Sequence, residues 1–218
     1  MITVLLVDDH DIIRHGIRRL LDDTQGIKVV GEAKTGEEGI RLTRELNPTV
    51  VIMDIRMPGI GGLEATRKLL RSNPDVKVLV LSAFDDELFP SRLLQAGASG
   101  YITKGTAIEE VVKAIRAVKA GQLFISPDIA QKLALKHISG EDESPFEVLS
   151  ERELQVSIMI TSGEKVQHIA DKLCVSPKTV NSYRYRIFKK LGIKSDVELT
   201  HLAMRYGLLE KFSDKEGK

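Results

Sequence analysis

Five short apolar runs, each followed by an amphipathic stretch, dominate the first 120 residues. The runs are 3–8 (TVLLVD), 27–33 (IKVVGEA), 49–54 (TVVIMD), 77–82 (KVLVLS) and 99–103 (SGYIT). They are short and rich in β-branched residues, as strands covered on both faces of a parallel sheet should be. Helical spacing of apolar residues follows near 11–23, 36–46, 63–71, 90–96 and 107–119. Pro90 suits the first turn of its helix and leaves 83–89 as a loop. Five βα units predict an α/β domain over residues 1–120, a doubly wound five-stranded parallel sheet with helices on both faces.

The pattern changes after residue 120. Residues 121–148 read as a linker. Ser126-Pro127 opens a short helix through Lys136, and the polar, acidic run Ser139–Pro145 suggests exposure. From 149 the spacing is helical throughout, with candidates at 151–161, 166–173, 177–191 and 196–206. Ser150 and Glu153 form a capping box, Gly163 ends the first helix, and Ser176-Pro177 supplies a cap and a first-turn proline. Asp196 is the expected cap of the last helix. Four short helices in 149–210 predict a small all-α bundle, with 211–218 as a C-terminal tail.

Composition narrows the function classes. The 218 residues carry 32 Lys+Arg against 31 Asp+Glu. That balance conceals a division: residues 1–143 carry a net −2 and residues 144–218 a net +3. Residues 176–194 hold six basic side chains and no acidic one, a candidate nucleic-acid footprint. The single cysteine, Cys174, excludes an internal disulfide. The apolar start runs straight into Asp8-Asp9 without a basic leader, so no signal peptide is expected. No apolar run reaches membrane-spanning length, and a cytoplasmic protein without a membrane partner is expected.

Chemistry concentrates at the predicted strand ends. The first run ends in Asp8-Asp9, the third in Asp54 and the fourth in Ser82, and Lys104 follows the fifth. In a doubly wound sheet these residues share one rim. Three crowded carboxylates repel one another and call for a cation, and Mg²⁺ is the fitting hard ion. A phosphoryl group on one carboxylate would be neutralised by that ion and by Lys104, with Ser82 as a hydrogen-bond donor. Asp54 is the best-placed nucleophile.

Asp8-Asp9, Met53-Asp54-Ile55-Arg56-Met57-Pro58-Gly59, Ser82, Tyr101 and Lys104 together resemble the receiver domain of bacterial response regulators. The resemblance implies a CheY-like sheet of strand order 2-1-3-4-5. It implies that Asp54 is the phosphoacceptor for a sensor histidine kinase. Asp9, Asp54 and the backbone carbonyl of Arg56 would hold Mg²⁺, with Asp8 acting through water. Lys104 would contact the phosphoryl group, and Ser82 and Tyr101 would form the switch pair, Tyr101 rotating inward. Gly105 departs from the proline common after the lysine. Phosphatases of the haloacid dehalogenase type share the nucleophile, metal, hydroxyl and lysine. They need a second Asp two residues after the nucleophile, where this chain has Arg56. Turnover of external substrates, and hence an enzyme, is not expected. The other competing reading is a constitutive DNA-binding protein whose receiver serves only for docking.

Residues 166–185 carry a helix-turn-helix pattern. Ile169, Ala170, Leu173, Val175 and Val180 form an apolar seam between two helices. The second helix then presents Lys178, Thr179, Asn181, Ser182, Tyr185, Arg186 and Lys189, a mixture of phosphate binders and groups able to read bases. Leu149–Glu153, Ile169–Leu173 and Ser176–Asn181 resemble the LuxR-type domain of the NarL/FixJ family. The resemblance places this helix in the major groove of double-stranded DNA. Asn181, Ser182 and Tyr185 would face bases, while Lys178, Thr179, Arg186 and Lys189 would mostly contact phosphates. The last helix would make the homodimer contact on DNA. The runs 181–186 and 196–203 are similar to the GacA/UvrY/LetA subgroup, which implies a BarA-like hybrid kinase and small regulatory RNA genes as targets. Cys174, Met53 and Met57 are expected to pack, as are Phe84 and Phe89 in their loop. The five histidines show no metal spacing in the sequence.

Overall fold

The computed structural model describes residues 1–82, 88–139, 144–206 and 208. The chain divides into two units, Met1–Glu141 and Asp142–Lys218. In the first, strands β1 (Ile2–Val7), β2 (Ile27–Ala33), β3 (Val50–Asp54), β4 (Lys77–Ser82) and β5 (Gly100–Thr103) alternate with helices α1 (Asp11–Asp22), α2 (Gly36–Leu46), α3 (Gly61–Ser72), α4 (Leu88–Gln95) and α5 (Ile108–Lys119). Strand β6 (Phe124–Ile125) and helix α6 (Pro127–Ser139) complete it. Every strand pair is parallel, in the order β2-β1-β3-β4-β5-β6.

The expected 2-1-3-4-5 order is present, with a sixth strand added at the edge within the expected linker. The backbone closes this edge: Phe124 N–H donates to Ser99 O at 3.2 Å and Ser126 N–H to Tyr101 O at 3.0 Å. Gly100 permits the approach, because a Cβ there would stand 2.6 Å from Phe124 O. Two residues are too few to show strand periodicity in a sequence. Pro90 is the third residue of α4, and the expected loop lies largely outside the described residues, as do the side chains of Phe84 and Phe89.

Alternation along each strand divides the core between two faces. Val4, Leu6, Val50, Ile52, Leu79, Leu81 and Ile102 form one buried cluster with Leu21 of α1 and Val111, Ile115 and Val118 of α5. Leu5, Val7, Val51, Met53, Val78 and Val80 alternate with them and are equally buried. Met57 is buried too, so both methionines flanking Asp54 are packing residues.

The second unit opens with a 3-10 turn (Pro145–Val148), followed by α7 (Glu151–Thr161), α8 (Val166–Lys172), α9 (Pro177–Leu191) and α10 (Asp196–Arg205). Both halves of the Ser150–Glu153 capping box form, and Ser176 caps α9 by accepting from Thr179 N–H. The cap of α10 is Ser195, which accepts from Glu198 N–H, not Asp196. Asp196 is the first helical residue instead, and it pairs with Arg184 of α9 through two bonds of 3.1 and 2.5 Å. No described helix is long and apolar enough to cross a membrane.

The turn between α8 and α9 carries backbone strain. Cys174 adopts φ 52°, the left-handed region that an L side chain enters at a cost. It is exposed rather than packed, contrary to expectation, because the turn projects its side chain outward. Cys174→Gly removes that cost, of about 1–2 kcal/mol, and adds part of it back as unfolded-chain entropy. The expected result is a gain of about 0.5–1 kcal/mol in urea unfolding. An unchanged or lower midpoint would refute the strain.

Candidate functional site

Parallel pairing puts all carboxyl strand ends on one edge. Val7 lies opposite Met53, so Asp8 follows β1 beside the terminal Asp54 of β3. Ser82 ends β4 opposite Thr103, and Lys104 follows. The rim therefore gathers Asp8, Asp9, Asp54, Ser82 and Lys104. Lys104 Nζ stands 2.8 Å from Asp8 Oδ2 and 2.9 Å from Asp54 Oδ2. It reaches them although Gly105 follows in place of proline.

The two carboxylates are deeply buried, with side chains 6% and 3% exposed. Burial, with the Asp8 charge, pushes the Asp54 carboxyl up to about 6, and Lys104 only partly opposes this. Burial alone would lower the Lys104 ammonium, but the charges of Asp54 and Asp8 hold it above its ordinary value. Arg56 N–H lies 3.4 Å from Asp54 Oδ1. Ser82 and Tyr101 are fully buried, so the Tyr101 ring is on the inside.

Three supports were not read from the sequence. Arg14 is a buried guanidinium that donates to Asp8 O at 2.7 Å and pairs with Asp11 and with Glu32. It fixes the loop that carries both aspartates. Its signal was helical spacing, since Arg14, Ile17 and Leu21 share the inward stripe of α1. Gly62 lets α3 approach β3: its N–H donates to Ile55 O at 2.9 Å. The third is His10. Its Nδ1 lies 3.0 Å from Asp9 Oδ1 and 3.2 Å from Asp8 Oδ1, so this histidine does join a metal-binding geometry. Three consecutive residues converge at a turn here, a pattern with no periodic spacing.

The residues fit a hard divalent cation. Asp9 Oδ1 is buried without a hydrogen-bond partner. One donor atom each from Asp8, Asp9, His10 and Asp54 lies within 4.8 Å of the others. A carboxylate-rich set suits Mg²⁺ and its class.

In the second unit Ile169, Ala170, Leu173 and Val180 are buried as the seam expected between α8 and α9, and Val175 is half-buried. Lys178, Asn181, Ser182, Tyr185, Arg186 and Lys189 are exposed, and Thr179 is half-buried against the Ser176 cap. Three cations of the basic stripe are engaged within the unit, Arg186 lying over the Tyr183 ring and 3.9 Å from Glu153 Oε1. Arg184 holds Asp196, and Lys190 Nζ lies 2.7 Å from the buried Glu153. Burial raises the Glu153 carboxyl, but Lys190 and Ser150 hold it below its ordinary range.

Comparison with known proteins identifies the family of each unit. Residues 4–116 match the response regulator receiver domain, and residues 147–203 match the bacterial regulatory proteins of the luxR family. The chain belongs to the two-component response regulators, as a DNA-binding transcription regulator that joins a receiver to a LuxR-type domain. It is 60% identical to the response regulator GacA of Pseudomonas aeruginosa over 98% of this chain and all of that one. It is 58% identical to the response regulator UvrY of Escherichia coli, over 95% of this chain and 96% of that one. Among solved structures, the RcsB response regulator of Salmonella typhimurium superposes with a TM-score of 0.71 at 27% identity, over 94% of this chain and 98% of that one. RcsB from Salmonella enterica serovar Typhimurium bound to promoter P1flhDC, in the presence of phosphomimetic BeF3-, gives 0.66 at 27% identity, over 92% and 97%.

Proposed function

We propose that Asp54 accepts a phosphoryl group from a sensor histidine kinase and that this modification controls DNA binding by α9. The observation that carries the reading is the Lys104 ammonium held between the buried Asp8 and Asp54 carboxylates. A carboxylate oxygen of Asp54 attacks phosphorus, the bond from phosphorus to its donor breaks, and an acyl phosphate forms. Asp9, Asp54 and the Arg56 carbonyl would hold Mg²⁺, with Asp8 acting through water. Mg²⁺, when bound, supplies charge neutralisation at the phosphoryl oxygens. Lys104 exchanges its carboxylate contact at Asp54 for a phosphoryl oxygen. Ser82 donates to another, and the Ser82–Tyr101 pair biases the receiver between two pre-existing states.

In the second unit Asn181, Ser182 and Tyr185 face bases in the major groove, while Lys178, Thr179, Arg186 and Lys189 contact phosphates. The exposure of all but the half-buried Thr179 on one helix of a basic segment supports this. The exposed Val197, His201 and Met204 of α10 recur at helical spacing and support the homodimer contact on DNA. Likeness to GacA and UvrY supports a BarA-like hybrid kinase as donor and small regulatory RNA genes as targets. Membership of the response regulator family supports a cytoplasmic location.

The test is intact mass after incubation with Mg²⁺ and acetyl phosphate, with DNA binding measured on the same samples. Wild type gains one phosphoryl group and binds cognate DNA more tightly, and Asp54→Ala does neither. An equal gain by Asp54→Ala, or phosphate stimulation that survives it, would overturn the assignment.

A further inference from the structure

The imidazole of His10 faces neighbours of opposite hydrogen-bonding character. Its Nδ1 lies 3.0 Å from Asp9 Oδ1, 3.2 Å from Asp8 Oδ1 and 3.8 Å from Asp54 Oδ2. Lys104 Nζ lies 3.5 Å from the same nitrogen. An ammonium can only donate and an ionised carboxylate can only accept. A proton on Nδ1 therefore faces Lys104, whereas a lone pair faces two carboxylate oxygens. Neither tautomer suits all its neighbours. A cation between the nitrogen and the facing oxygens accepts from all of them and leaves the ring proton on Nε2.

The separations suit that role. Octahedral ligands at about 2.1 Å from one ion stand about 3.0 Å apart when adjacent and about 4.2 Å apart when opposite. The distance from Nδ1 to Asp9 matches adjacent positions, and the distance to Asp54 falls between the two limits. No capping duty competes for the side chain, since His10 precedes α1 without a side-chain capping bond.

We infer that His10 is a nitrogen ligand of the receiver's divalent-ion site and that it tilts the site toward first-row transition ions over Mg²⁺. The inference rests on the acidic rim binding a divalent cation. Mg²⁺ keeps oxygen ligands and sheds its water reluctantly, so an added imidazole contributes little to its binding. A transition ion gains from nitrogen. The receiver thus takes Mn²⁺ at a lower concentration than an all-oxygen site of the same charge.

The experiment uses the full-length chain with Mn²⁺ and Mg²⁺ as the probes. Free Mn²⁺ is counted by its paramagnetic resonance signal, alone and in competition with Mg²⁺. Wild type, His10→Ala and His10→Gln are compared after circular dichroism has confirmed that each is folded. Both variants should lose about tenfold or more in Mn²⁺ affinity, and less than about threefold in Mg²⁺ affinity. The spin-echo spectrum of bound Mn²⁺ should carry imidazole nitrogen modulation in wild type and lose it in both variants. An unchanged Mn²⁺-to-Mg²⁺ ratio without nitrogen modulation would overturn the role of His10 alone. Tighter binding of both ions in the variants would show that the imidazole competes with the ion, and would also overturn it. Failure of wild type to bind either ion would remove the divalent site itself, and this inference with it.

Discussion

Gly62→Ala unfolds in far less urea than wild type, with a loss of about 3 kcal/mol or more. A Cβ at position 62 would stand 1.8 Å from Asp54 O and 2.8 Å from Ile55 Cα. Both are backbone atoms, so no rotamer change relieves the clash. Either the start of α3 moves away or the end of β3 does. Each movement stretches the hydrogen bond from Gly62 N–H to Ile55 O. The second also displaces Asp54 from Lys104, so the folded fraction of the variant should accept phosphate poorly. Gly105→Ala is the matched control, because a Cβ there meets nothing within 4 Å even though Lys104 is its neighbour. It should fall within about 0.5 kcal/mol of wild type. Equal midpoints for the two variants would disprove the close approach.

Gly62 also marks what a sequence conveys and what it does not. Strand-terminal Asp8, Asp54 and Ser82 were legible because burial writes an apolar run and the run stops where the chemistry starts. Their convergence followed from parallel topology, which brings residues 8, 54, 82 and 104 to one rim without any local signal. The helix-turn-helix was legible for the same reason, since the Ile169–Val180 seam is periodic. Contacts made by one residue at one angle left no such trace. His10 reaches the carboxylates through a turn, β6 is held by two backbone bonds, and Ser195 took the capping role from a neighbour of nearly equal propensity. In the basic stripe, composition does not distinguish Lys190, held by Glu153, from the exposed Lys189 one residue before it.

Asp54→Asn is expected to make the metal-free protein more stable at pH 7, although it removes the proposed phosphoacceptor. Burial lifts the Asp54 carboxyl from 3.8 in a free side chain to about 6 in the fold. The folded chain therefore holds a proton that the unfolded chain has released, and wild-type stability falls as pH rises from about 4 to about 6. A shift of roughly two pKa units corresponds to about 3 kcal/mol, the upper end of what a neutral isostere recovers. Lys104 keeps its second partner, Asp8, in the variant, so the substitution strands no cation. The stability gap should open across that pH window and stay level above it. Added Mg²⁺ should narrow it, because an ion held by the ionised carboxylate stabilises wild type more than the variant. Urea titrations at pH 4, 6 and 7.5, with and without Mg²⁺, provide the check. A gap that is constant with pH would show that the Asp54 charge costs the fold nothing. A gap that opens and then closes with Mg²⁺ would identify Asp54 as a residue retained at the expense of stability, as a buried nucleophile awaiting a cation and a phosphoryl group should be.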